Sequence, residues 1–356
     1  MGRGRNWNVG YGLRVERCEQ AAAGVAIQVL GFHALIDKDT TNGWRRSGQL
    51  PAVMGQLISG TASPVVRVRG GSTDQRSGEL RLRRTGRRFQ FGSMTLRETE
   101  TVDLPTPTGP MRTYIFRPAA PGRYPGILLY SEIFQVTGPI RRTAALLAGH
   151  GFVVAVPEIY HEFEPAGTVL AYDQAGADRG NALKTTKELA SYDADARAVL
   201  AFLKGAPYCT GRLGTLGICI GGHLAFRAAM NPEVLAATCF YATDIHKRGL
   251  GRGMNDNSLD RIPEIQGELL MIWGRQDPHV PLEGRLKVHA VLDAAGTRFT
   301  WHEFNGAHAF LRDEGHRYDP ELALQSYGLA LALFRRKLGE GDLLESAGAG
   351  AGETRH

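Results

Sequence analysis

The chain has 356 residues, 43% hydrophobic and 22% charged, enough to bury one large core within a single domain of roughly 250 residues that carries extensions. Its net charge of +6 is uneven: residues 1–93 hold 15 Lys and Arg against 6 Asp and Glu, a balance of +9, and the rest balances to −3, so the basic character belongs to the extension and nucleic acid is not an expected partner. No run approaches the roughly 20 apolar residues of a membrane helix, the start M-G-R-G-R-N-W-N-V-G lacks the apolar region of a secretory signal, and Cys18, Cys209, Cys219 and Cys239 show no disulfide or zinc spacing, so a cytoplasmic setting is expected.

Residues 1–93 are rich in Gly and Arg, as in R-V-R-G-G-S and L-R-L-R-R-T-G-R-R, and show little periodicity. They are expected to be a disordered extension, with the globular domain spanning 94–339 and the Gly/Ala-rich 340–356 a flexible tail. A basic tail touching anionic surfaces, a targeting peptide and an untranslated stretch upstream of Met94 are the three readings of the extension. The last is preferred, because transit peptides hold more Ser and fewer acidic residues.

Beyond Tyr124, short apolar runs alternate with helical patterns. Strands are expected at Gly126–Glu132, Phe152–Pro157, Leu213–Leu216, Thr238–Ala242, Leu269–Trp273 and Phe299–Phe304. Helices are expected around I-R-R-T-A-A-L-L-A-G-H, at Ser191–Leu203, His223–Met230 and Leu286–Ala294, and at Pro320–Leu338 to close the domain. This alternation predicts an α/β fold: a mostly parallel sheet with helices on both faces.

One corner stands out. In L-G-I-C-I-G-G-H-L-A-F (216–226) a strand runs into a helix through a cysteine flanked by glycines, the G-x-S-x-G nucleophile elbow with Cys219 in place of serine. Gly217 and Gly221 would be small to avoid clashes across the turn, and the Ile220 N–H would face a developing oxyanion. A glycine-flanked core cysteine is the competing reading. Downstream, W-G-R-Q-D-P-H-V-P puts Asp277 after one expected strand and N-G-A-H-A-F puts His308 after the next. Nucleophile, acid and histidine thus follow the chain order of the α/β-hydrolase fold. Taken singly, Asp277 could cap a helix and His308 could be a loop histidine. A metal role with His302 and His316 is disfavoured, since the spacing does not set two ligands on one helix face.

These residues resemble the dienelactone hydrolases, or carboxymethylenebutenolidases, from about Val102 to Leu338. S-E-I-F, V-P-E-I-Y, G-I-C-I-G-G, Q-D-P-H-V-P and A-H-A-F-L-R carry the resemblance. It implies Cys219 as nucleophile, His308 as base and Asp277 as its orienter. It further implies that Glu132 pairs with the resting thiol and swings away on substrate binding, that the Ile133 N–H is the second oxyanion donor, and that Arg312 grips a substrate carboxylate. The chain departs from the family pattern at Gln135, often Gly, and at Glu162, which takes the place of a second carboxylate-binding arginine. The expected protein is a monomeric cysteine hydrolase of a small-molecule lactone or activated ester, without metal or organic cofactor and without a membrane partner. A broader carboxylesterase or thioesterase, and a non-catalytic α/β-hydrolase relative serving as a binding protein, are the rivals.

Overall fold

The computed structural model describes residues 14–16, 25–29, 32–36, 96 and 100–339, and the chain divides into units 1–86 and 87–356. In the first unit β1 (Arg14–Glu16), β2 (Val25–Val29) and β3 (Phe32–Ile36) pair antiparallel. Apart from these strands, the expectation of a disordered extension falls outside the described residues, as does that of a flexible tail at 340–356.

The second unit is built on an eight-stranded sheet. An antiparallel hairpin, β4 (Glu100–Thr106) and β5 (Gly109–Phe116), leads to β6 (Tyr124–Tyr130), β7 (Val153–Pro157), β8 (Cys209–Ile218), β9 (Val234–Phe240), β10 (Glu268–Gly274) and β11 (Phe299–Phe304). Their spatial order is β11-β10-β9-β8-β6-β7-β5-β4, and every pair from β11 to β7 is parallel. Parallel neighbours need crossovers, and six helices supply them or close the fold: α1 (Gly138–Gly149), α2 (Gln174–Thr186), α3 (Leu189–Gly205), α4 (Ile220–Ala228), α5 (Leu282–Ala294) and α6 (Pro320–Leu338).

The period of two along each strand divides the core into two layers. Leu128, Val153, Ala155, Leu269, Met271 and Trp273 pack with Val199 and Leu203 of α3 and Val288 of α5. Their neighbours Ile127, Leu129, Val154, Val156, Leu270 and Ile272 pack on the other face with Ile140 and Leu147 of α1 and Phe334 of α6. Strands buried on both faces read as continuous apolar runs, which is why the sequence locates them. α6 is legible for another reason. Asp319 accepts hydrogen bonds from the N–H groups of Glu321 (3.1 Å) and Leu322 (3.0 Å), Pro320 opens the first turn, and Arg335, Arg336 and Lys337 sit in the last turn, where the dipole favours cations. Among the described residues no helix is long and apolar enough to cross a membrane.

Candidate active site

β8 ends at Ile218 and α4 begins at Ile220, so Cys219 alone turns the chain from strand to helix. The turn imposes φ 63° and ψ −120° on it, a conformation that costs an L-residue about 1–3 kcal/mol and persists only where its surroundings enforce it. They do so here: the Cys219 N–H donates to the Phe240 carbonyl (3.1 Å), and the Cys219 carbonyl accepts from Gly222 (3.0 Å) and Thr243 (3.2 Å). The glycines are required by close approach. A Cβ at Gly217 would lie 1.8 Å from the Gly221 oxygen, and one at Gly221 would lie 2.5 Å from the oxygens of Tyr130 and Ser131. The elbow leaves Cys219 only 9% exposed, at the carboxyl end of the central strands.

Asp277 follows β10 and His308 follows β11, so both reach the same end of the sheet. His308 Nδ1 lies 2.7 Å from Asp277 Oδ2, and Asp277 Oδ1 accepts the His279 N–H at 2.8 Å. Burial favours a neutral carboxyl on Asp277, but the His308 bond and charge override it and hold the group below the usual carboxylate range. A carboxylate can only accept, so Nδ1 carries the proton. Burial likewise opposes a charge on His308, yet the neighbouring Cys219 side chain and the Asp277 bond raise it to about 10. Cys219 thus lies near enough to His308 to act on its charge. Tyr241 and His279 pack edge-on against the ring, at 4.9 and 4.6 Å between centroids, and fix its plane.

Glu132 lies just beyond β6 and is 1% exposed. Its hydrogen bonds run to Arg312 Nη2 (2.7 Å) and Nε (3.1 and 3.3 Å) and to the Tyr172 hydroxyl (3.2 Å). None to Cys219 is among them. Glu132 and Arg312 therefore form a forked ion pair, with the guanidinium over the rings of Tyr172 (4.3 Å) and Phe134 (5.1 Å). Asp313 and Glu314, the nearest carboxylates to Arg312 in the chain, are taken up by Arg142 at 2.6–2.7 Å.

The Ile133 and Ile220 N–H groups donate to no acceptor among the described residues. Ile220 is the first residue of α4, where an N–H has no intrahelical partner. Gln135 adopts the left-handed conformation (φ 67°) and replaces a glycine's freedom with bonds: its amide donates to the Thr168 carbonyl and accepts from the Tyr160 N–H, each at 3.3 Å. Glu162, in the place of a cation, pairs with Lys187 at 2.6 Å. Lys187 is fully buried and also meets Asp195 at 2.7 Å.

Among the described residues, the one grouping with metal-ligand geometry is His161, Glu162 and Asp195, and the Lys187 ammonium already serves as the cation of its two carboxylates. His302 instead stacks on Phe304. Lys187, Tyr172 and Tyr241 are not marked by any local sequence pattern: Tyr172 and Tyr241 meet partners far along the chain, and Lys187 joins Asp195, eight residues on, to the distant Glu162. An oriented histidine beside a thiol, at a helix N-terminus with two N–H donors at hand, can perform acyl transfer through a covalent thioester.

Residues 111–338 match the dienelactone hydrolase family. A Saccharomyces cerevisiae protein provisionally named carboxymethylenebutenolidase is 43% identical over 253 residues, which cover 67% of this chain and 92% of that protein. The carboxymethylenebutenolidase of a Pseudomonas species is 25% identical over 217 residues, 61% of this chain and 87% of its own. In fold, the chain is similar to a Klebsiella pneumoniae protein provisionally called a dienelactone hydrolase. The TM-score is 0.60 at 23% identity, covering 68% of this chain and 99% of that one.

Proposed function

Because this chain belongs to the dienelactone hydrolase family and is a hydrolase of esters or lactones, we propose that it acts through Cys219 as nucleophile, His308 as acid and base, and Asp277 as the group that orients His308. The observation that carries this reading is the buried Asp277–His308 bond of 2.7 Å, with the Cys219 side chain near enough to raise the imidazole pKa.

The thiolate sulfur attacks the substrate carbonyl carbon, and the carbonyl electron pair moves onto oxygen, where the Ile133 and Ile220 N–H groups receive it. Collapse expels the alkoxide, which takes a proton from His308. In a lactone that alcohol stays attached to the acyl group. His308 then removes a proton from water as it attacks the thioester, and the acid leaves with Cys219 restored as thiolate. Arg312 is the candidate grip for a substrate carboxylate. Glu132 occupies its fork at rest, so an acidic substrate competes with Glu132 and frees that carboxylate to act near the thiol.

A broader carboxylesterase or thioesterase is the second reading, favoured by Glu162. With a carboxylate in the place of the second cation, and Lys187 committed to Glu162 and Asp195, one carboxylate-binding arginine remains. A panel of lactones, aryl esters and thioesters, run with Cys219→Ala and with thiol-alkylated protein, tests both. Hydrolysis that survives in Cys219→Ala overturns the mechanism, and the panel ranks the substrate class.

A further inference from the structure

At the amino end of the sheet, opposite Cys219, lies a recess of about 430 Å³. It is formed where β9 begins at Val234, where Gly267 precedes β10, where Arg298 precedes β11 and where α6 ends at Arg336 and Lys337. Arg212 lines it from the first half of β8, whose far end leads into Cys219. Seven residues at about 3.3 Å each separate the two by roughly 23 Å. The recess is not part of the acyl-transfer site.

Among the described residues its lining carries four cations, Arg212, Arg298, Arg336 and Lys337, and no carboxylate. The described domain as a whole is balanced: residues 100–339 hold 25 Lys and Arg, these four included, against 25 Asp and Glu. Glu268, outside the lining, holds Arg336 at 2.6 and 2.8 Å and stands 3.8 Å from Lys337. The other two arginines reach only carbonyls. Arg212 Nη2 donates to Lys337 O at 2.7 Å, and Arg298 Nη2 donates to Gln266 O. Arg212 Nε is buried with no acceptor among the described residues, a donor whose desolvation is not compensated. The end of α6 works against an anion here, since its last carbonyls carry roughly half a negative charge. Arg212 caps one of them, and the cations of the lining exceed that half charge.

We propose that this recess binds a small phosphorylated molecule. Guanidinium forks and an ammonium offer more donors than one carboxylate can accept, and a phosphate group, with three terminal oxygens and up to two charges, matches them. Pro232 and Leu235 form an apolar wall for the organic part, and the volume lies in the range of small-ligand sites.

Calorimetric titration of the full chain with adenosine monophosphate at low salt tests the proposal. Saturable binding at one site is expected, at least tenfold weaker in Arg298→Glu and in Lys337→Gln. It should be unchanged in Arg179→Glu, an exposed arginine that pairs elsewhere with Glu164. Ester turnover should be unaltered in both recess variants, and alkylating Cys219 should leave nucleotide binding intact. No saturable binding at millimolar nucleotide, affinity in the two recess variants equal to that of the parent chain, or loss of binding on alkylation would each overturn it.

Discussion

Truncating Cys219 to Ala removes the sulfur and leaves the backbone of the elbow, whose bonds are made by main-chain groups of Phe240, Gly222 and Thr243. Turnover should fall to background while the melting temperature stays within a few degrees. The charge on His308 makes a second prediction. Its folded value of about 10 lies above the ordinary value of about 6.5, so its stabilisation is complete below about pH 6.5 and is lost as pH rises through about 10. Urea midpoints of the parent chain should therefore decline across that window, and those of His308→Ala should decline less. Turnover should also fall toward pH 10 as the leaving group loses its acid. Arg312 carries the third prediction. Arg312→Ala strands the buried Glu132 carboxylate, and removing one partner of such a pair costs about 3–5 kcal/mol. The variant should lose stability as well as affinity for acidic substrates, and Glu132→Gln in the same chain should restore the melting temperature but not the affinity. The candidate site residues legible in the sequence, Cys219, Asp277 and His308, each sit just past a strand, where chain order points to them. What it did not reveal was that Glu132 spends its charge on Arg312, because that pair spans 180 residues.

At the scale of elements, the buried strands and α6 were legible from apolar runs and caps, whereas the β4–β5 hairpin and α2 were not. β4 alternates half-buried and exposed positions with only Leu104 buried, so no apolar run marks it. α2 buries only Gly176, Gly180 and Leu183, and glycines leave no hydrophobic stripe to read. Those glycines have another use. A Cβ at Gly180 would come within 2.6 Å of the Ile133 carbonyl oxygen, and the Gly180 carbonyl accepts from the Tyr160 hydroxyl at 3.1 Å. α2 thus presses against the loop that carries one proposed oxyanion donor. Gly180→Ala must shift that loop or the helix, and misplacing a transition-state donor by about 1 Å can cost on the order of 100-fold. The expected result is a kcat reduced at least tenfold with KM little changed, in a chain that still folds. A loss confined to KM would place the loop in substrate binding instead.

For the whole molecule, the question is which residues the hydrolase needs. The family match covers 111–338, both core layers draw their buried residues from 104–338, and the candidate site residues run from 132 to 312. The excess charge lies elsewhere: +9 falls in residues 1–93, and the described domain is balanced. A field from those arginines would act on an acidic substrate mainly through long-range attraction, which is screened beyond about 10 Å at ordinary ionic strength. A chain beginning at Met94 keeps Leu96, which bridges to Pro118 beside β5, and so keeps that contact. It should match the full chain in melting temperature and in kcat/KM for a neutral aryl ester. For a carboxylate-bearing ester, the ratio of the two chains' kcat/KM should approach one as salt is raised, because only steering separates them. A drop in melting temperature on truncation would show that residues 1–93 stabilise the catalytic unit. A salt-independent loss of activity would show that they contribute to the site.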